Sequence, residues 1–231
     1  MGARTGTEYL EGLRQSSAEI WLGDERITDV TTHPALRGCA QSMATLYDMQ
    51  HAEDVRAEMT YPSPTTGDPV GLSFITPRTH EDLERRSGMM FHWSRFSGGM
   101  LGRSSDYINV EIMAAAAAAD FYSQNDPRFG ENARNYYDYA RENDLCMTHT
   151  LVNLQRTRST TTTPLVDTTG VALAVTKETD DGLIVNGARV LATLGPLSDE
   201  IAVYPARSHR LPDGSEGRYS FAFAIPSDTK G

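Results

Sequence analysis

Several short segments bring groups that can handle charge or protons into apolar company. In Gly102-Arg103-Ser104-Ser105-Asp106-Tyr107, Arg103 and Tyr107 are four apart, so on a helix they share one face. A guanidinium beside a phenol can hold and polarise an oxygen anion. If Ser104 or Ser105 caps the helix, Arg103 sits just outside it and the pair still points one way. Cys146-Met147-Thr148-His149-Thr150-Leu151 sets His149 among small and apolar residues, where an imidazole can take up or return a proton near neutral pH. Asn153-Leu154-Gln155-Arg156-Thr157-Arg158 is a polar run able to contact phosphate or a planar cofactor ring. Ala192-Thr193-Leu194 sets a hydroxyl in what reads as a strand. Each segment also has a plain reading: a solvated Arg at a helix start, a satisfied core histidine, a surface loop, a β-prone threonine.

Other chemistries lack their residues. The six histidines show no HExxH pairing, so no metal set is expected. Gly98-Gly99 with Gly102 follows no strand and has the wrong spacing for a dinucleotide fingerprint, and neither a Walker loop nor a GxSxG elbow occurs. Two cysteines, Cys39 and Cys146, are too few for a disulfide framework and read as small buried thiols in a reducing cytoplasm. A formal charge of −10 argues against nucleic acid. No run of 18 apolar residues is present, so no membrane span is expected. The basic residues are Arg except for Lys177 and Lys230.

The elements that must position these residues change texture along the 231 residues. From Thr5 to about Asp144 the pattern is mostly helical. Helices are expected after the Thr5 cap, over Pro34 to Asp48, after the Thr79 cap to Gly98, over Asp106 to Tyr122 through the alanine run, and over Asn132 to Asp144. A further short segment is expected from His51 to Met59. After Thr160 the chain turns β-prone. Val171 to Thr176, a hairpin at Asp180-Asp181-Gly182, Ala188 to Leu194, Glu200 to Pro205 and Tyr219 to Ile225 read as strands of a small antiparallel sheet or barrel. The fold class is α+β: a helical domain at 1–145, then a β-barrel domain at 146–231 that reads as incomplete.

An ordered set of motifs then resembles a known family. Arg4-Thr5-Gly6 with Tyr9-Leu10, Thr32-His33-Pro34, Met43 with Leu46-Tyr47-Asp48 and His51, Gly102-Arg103-Ser104 with Asp106-Tyr107, Asn135-Tyr136-Tyr137 and Thr148-His149 are similar to the oxygenase component of two-component 4-hydroxyphenylacetate 3-monooxygenases. The resemblance implies an acyl-CoA-dehydrogenase-like fold: a helical domain, an antiparallel β-barrel, and a C-terminal helical domain that this sequence lacks. That third part would complete the flavin site and a homotetramer, so the resemblance implies that this stretch alone is inactive. It assigns Arg103, Tyr107 and His149 to the phenol and its chemistry, and Gln155, Arg156, Thr157, Arg158 and Thr193 to flavin contact. It also implies FADH2 delivered by a separate NAD(P)H-flavin reductase, and O2. Ortho-hydroxylation of a 4-hydroxyphenyl substrate would run through a C4a-hydroperoxyflavin, in the cytoplasm.

Leu154, Arg156 and Gly195-Pro196 depart from the family's usual pattern. With the Arg-rich composition, they suit a branch acting on a tyrosine-derived phenol, a chloro-β-tyrosyl group on a carrier protein in enediyne antibiotic assembly. Free 4-hydroxyphenylacetate is the alternative substrate. Two other classes compete. An acyl-CoA dehydrogenase or its radical dehydratase relative would need a catalytic Glu or an iron–sulfur ligand set. A non-catalytic interaction module would bind no flavin.

Overall fold

A computed structural model describes residues 2–100, 104, 106–153, 171–205 and 215–230. In chain order the elements are α1 (Gly6–Gln15), β1 (Ile20–Leu22), β2 (Glu25–Ile27), α2 (Arg37–Asp48), α3 (Arg56–Met59), β3 (Thr60–Pro62) and β4 (Pro69–Gly71). They continue with α4 (His80–Ser97), α5 (Asp106–Ala117), α6 (Ala119–Tyr122), α7 (Pro127–Glu142), β5 (Met147–Thr150), β6 (Val152–Asn153) and β7 (Ala174–Thr179). β8 (Gly182–Asn186), β9 (Arg189–Val190), β10 (Glu200–Val203) and β11 (Phe223–Pro226) complete the series. None of these helices is long and apolar enough to cross a membrane.

The helix ends follow local chemistry. Thr5 and Glu8 form a reciprocal capping box, with Glu8 Oε2 accepting from Thr5 N at 2.7 Å. Thr79 and Asp82 repeat it at α4, which stops at Gly98 in the left-handed region (φ 60°). Asp126 caps α7 and Pro127 fills its first turn. The expected helix over Asp106 to Tyr122 is two helices, broken at Ala118 (φ −94°, ψ 15°). Tight packing on α7 accompanies the break: a Cβ at Gly130 would lie 2.4 Å from Ala119 O. The helical expectation also missed two hairpins, β1–β2 and β3–β4. The Gly23-Asp24 turn that joins β1 to β2 is a recognisable two-residue hairpin signal.

The fold class is α+β. The β region departs from a uniform antiparallel sheet. β7–β8 and β6–β9 are separate two-stranded ladders. β10 pairs antiparallel with β11 but parallel with β5, with Ala202 opposite His149. The described residues form no closed barrel. β5 is buried at every position, as suits a parallel-paired strand covered on both faces.

Two cores meet at β5. One joins Tyr9, Leu13, Met43, Leu46, Tyr47, Met59 and Trp93 to Cys146, Leu194 and Leu197. The other joins Phe74, Ile108, Ile112, Tyr137 and Ala140 to Met147 and Ala202. Arg4 ties the start of the chain to this junction. Its guanidinium meets Asp199 at 2.6 Å, gives Nε–H to the Asp144 carbonyl at 2.9 Å, and lies 5.0 Å from the Tyr47 ring centre. Asp199 in turn accepts the Cys146 N–H at 2.7 Å. Cys146 is buried and its thiol is pushed up to about 12, chiefly by burial, whereas Cys39 is only half-buried.

Candidate active site

Three rings from three elements form an aromatic corner. α5 supplies Tyr107. Ile108, Ile112 and Met113 hold that helix to the second core, and Asn109 gives its amide to Ser73 Oγ at 2.8 Å. The helix starts at Asp106, which is buried and accepts the Ser104 hydroxyl. Burial raises the Asp106 carboxyl, against that bond. With its neighbours committed to the core, Tyr107 stays 46% exposed.

β5 supplies His149, 7% exposed and the sole buried histidine among the described residues. The His149 and Tyr107 rings lie 5.1 Å apart at 45°. Tyr204, just beyond β10, brings the third ring to 6.5 Å from His149 at 52°. Parallel pairing sets it there: Tyr204 N donates to Thr150 O at 3.0 Å. Burial, then the charge of Glu111, with smaller help from Tyr107 and Tyr122, push the Tyr204 hydroxyl well above the usual phenol range. It stays neutral and can donate a hydrogen bond.

Behind the corner lies polar backing. Arg189 on β9 donates to Tyr204 O at 3.0 Å and to Leu173 O at 3.4 Å. Burial pushes its pKa down. Its Nε and the Thr150 Oγ1 are buried without a partner among the described residues. Such atoms are costly to leave unmade, so they suit a ligand with a hydrogen-bonding edge.

The structure thus brings Tyr107 and His149 together. Thr193 departs from the expected strand: β9 stops at Val190, and Thr193 is exposed in a turn. Leu191 takes a positive φ of 72°, which ends the ladder. That turn is still fastened to the site's strand, because Leu194 N donates to Thr148 Oγ1 at 3.2 Å. Arg103, Gln155, Arg156, Thr157 and Arg158 lie outside the described residues. Tyr204, Glu111 and Arg189 were not anticipated. Nothing local marks them; strand pairing and helix phase bring them in. A separate cavity of about 200 Å³ lies between α4 and the start of α5, lined by Trp93, Ser97, Ser104 and Asp106 among others.

A buried imidazole against a half-exposed phenol, with a second phenol alongside, suits the binding of an aromatic ring whose oxygen exchanges a proton. The chain is 45% identical to the oxygenase component of 4-hydroxyphenylacetate 3-monooxygenase from Geobacillus sp., over all of this chain and 46% of the relative. From Streptomyces globisporus, a monooxygenase of a carrier-bound (3S)-3-amino-3-(3-chloro-4-hydroxyphenyl)propanoyl group is 34% identical, over 98% of this chain and 41% of its own. A solved oxygenase component of 4-hydroxyphenylacetate 3-monooxygenase, complexed with FAD and 4-hydroxyphenylacetate, superposes with a TM-score of 0.87 at 42% identity. The overlap covers 99% of this chain and 46% of that one. An archaeal 4-hydroxybutyryl-CoA dehydratase shares the fold, with a TM-score of 0.83 at 20% identity over 99% of this chain and 44% of its own. The chain therefore spans about half the length of the relatives it matches. Residues 5–231 match the family described as 4-hydroxyphenylacetate 3-hydroxylase N terminal, and the chain belongs to that family.

Proposed function

We propose that this chain supplies the phenol-binding wall of a flavin-dependent monooxygenase, the oxygenase component of a two-component system. It ortho-hydroxylates a 4-hydroxyphenyl substrate. The observation that carries the reading is the buried His149 ring against Tyr107 at 5.1 Å, in a chain of this family. Reduced FAD, received from a separate NAD(P)H-flavin reductase, supplies the activated oxygen atom from O2 when bound. Thr193, with Gln155, Arg156, Thr157 and Arg158, would hold it. The Arg189 Nε and Thr150 Oγ1, buried with no partner among the described residues, offer polar contacts to a ring edge.

The chain's own residues then have distinct tasks. A free phenol loses its proton near pH ~10, so the site must favour the electron-rich, phenolate-like form. Arg103 supplies positive charge to the phenol oxygen and Tyr107 a hydrogen bond. His149 accepts the phenol proton, a task an imidazole can perform near neutral pH. The apolar packing behind His149 keeps water from the oxygen-transfer site.

The substrate reading that follows the departures noted above is a tyrosine-derived phenol, a chloro-β-tyrosyl group on a carrier protein in antibiotic assembly. The Streptomyces relative's name supports it, and the Geobacillus relative's name supports free 4-hydroxyphenylacetate instead. A cytoplasmic homotetramer is the working assembly. Two assays test the proposal on the whole protein. Arg103→Ala and His149→Ala should abolish catechol formation while FADH2 is still oxidised; coupled turnover retained in both overturns the assignment. Comparing free with carrier-tethered phenols decides the substrate form.

A further inference from the structure

The buried and half-buried carboxylates have partners almost throughout. Asp106 takes the Ser104 hydroxyl, and Glu142 takes Ser63, Thr66 and Arg141. Asp144 takes Gln50 and Arg4, Asp199 takes Arg4 and the Cys146 N–H, and Glu200 takes Tyr136. Glu111 is the exception. It is half-buried on α5 and has neither a hydrogen bond nor an ion pair among the described residues. A carboxylate partly removed from water with no cation is a cost to the folded chain, and burial raises its carboxyl accordingly.

Its position gives that cost a use. Glu111 lies one turn beyond Tyr107 on the same helix face, about 6 Å along the axis. That is close to the reach of a phenol from its oxygen to the group on its para carbon. Tyr204 is the third ring of the corner, and its hydroxyl feels the Glu111 charge more than that of Tyr107 or Tyr122. A ring with its oxygen at Tyr107 and His149 therefore aims its para side chain at an unpaired anion flanked by tyrosines. Tyrosine faces also attract ammonium groups.

We propose that Glu111 is a specificity residue that pairs with a cation on the substrate's side chain, so that the site takes phenols carrying a para aminoalkyl group. The proposal rests on the phenol reading above and narrows it: a carboxylated side chain meets like charge at Glu111, and a protonated amine meets its complement.

The experiment compares the whole protein with its Glu111→Gln variant on tyramine, 4-ethylphenol and 4-hydroxyphenylacetate, by equilibrium titration and by kcat/KM for ring hydroxylation. Glutamine keeps the size and removes the charge. The ratio of tyramine to 4-ethylphenol, in both affinity and kcat/KM, should fall about tenfold, the scale of one charge-assisted contact. The ratio of 4-hydroxyphenylacetate to 4-ethylphenol should rise. Unchanged ratios overturn the proposal, as does an equal loss on all three phenols, which would mark Glu111 as structural. If the protein hydroxylates phenols and the ratios stay fixed, Glu111 fails and the functional reading stands. If the binding ratio falls as expected but no phenol is hydroxylated, the functional reading fails and the recognition stands.

Discussion

Replacing Arg4 with Ala should destabilise the fold far more than a residue so near the start of the chain would suggest. The Arg4 and Asp199 side chains are 12% and 20% exposed, so the pair is largely desolvated. Arg4 also satisfies Asp144 twice, through its backbone N–H at 3.0 Å and its Nε at 2.9 Å, and packs over Tyr47. The Ala variant keeps the backbone bond but leaves Asp199 without its cation. Removing one partner of a buried pair costs about 3–5 kcal/mol. The partial exposure of Asp199 sets the expectation at the lower end, about 3 kcal/mol. For a unit of this size that lowers Tm by roughly 6–12 °C. Circular dichroism melts and urea midpoints measure it. A double-mutant cycle with Asp199→Asn should return a coupling of at least ~1 kcal/mol. A loss below ~1 kcal/mol, or additive single mutants, would refute the idea that Arg4 clamps the two cores through Asp199.

Three further outcomes follow from named contacts. Gly6→Ala should cost about 1–3 kcal/mol in urea denaturation, because a Cβ there would sit 2.4 Å from Ala44 O, backbone that cannot yield cheaply. Glu8→Ala should cost roughly 0.5–1 kcal/mol at pH 7 through loss of the α1 capping box. Thr5 N–H, then its hydroxyl, hold the Glu8 carboxyl below the usual 4.5. Its stabilisation is therefore complete above pH 4.5 and lost as pH falls through the lower folded value, so the stability gap to Glu8→Ala should close in acid. Thr148→Val removes the acceptor for Leu194 N and loosens the turn that carries Thr193; flavin titration should show several-fold weaker affinity with Tm lowered by only a few degrees.

Much of the helical part was legible because its signals are local. The Thr5–Glu8 and Thr79–Asp82 boxes mark the two helix starts where they occur. The Asp180-Asp181-Gly182 turn likewise marks the β7–β8 hairpin. The Asp126-Pro127 start of α7 carries an equally local signal, but the expected helix began five residues late. Motifs around Arg4, Tyr9, Tyr47 and Asp48 were legible only as resemblance. The structure gives their physics: Arg4 rests on the stacked Tyr9 and Tyr47 rings, and Asp48 Oδ1 takes Gly6 N at 2.7 Å where α1 crosses α2. Tyr204, Glu111 and Arg189 were not legible, because their roles depend on which strand lies next to which and on the phase of α5 against the core.

β5 was hidden for a reason that also explains the site. Half-exposed strands announce themselves by alternation, but Met147, Thr148, His149 and Thr150 are all buried, so their sequence shows no polar and apolar faces. The alternation survives in the partners. Met147 joins the α5–α7 core, and His149 two residues on meets Tyr107 from the same helix. Cys146 joins the first core, and Thr148 two residues on holds Leu194 of that core. A one-residue slip would exchange these sets and put Thr148 against Tyr107, so both cores resist it. Asp199 adds a third restraint by binding the Cys146 N–H at one end, while Tyr204 N binds Thr150 O at the other. The imidazole thus sits on a strand restrained at both ends and on both faces, beside the half-exposed Tyr107. Held on so restrained a strand, the imidazole would need no reorganisation to take up a substrate proton in the proposed hydroxylation.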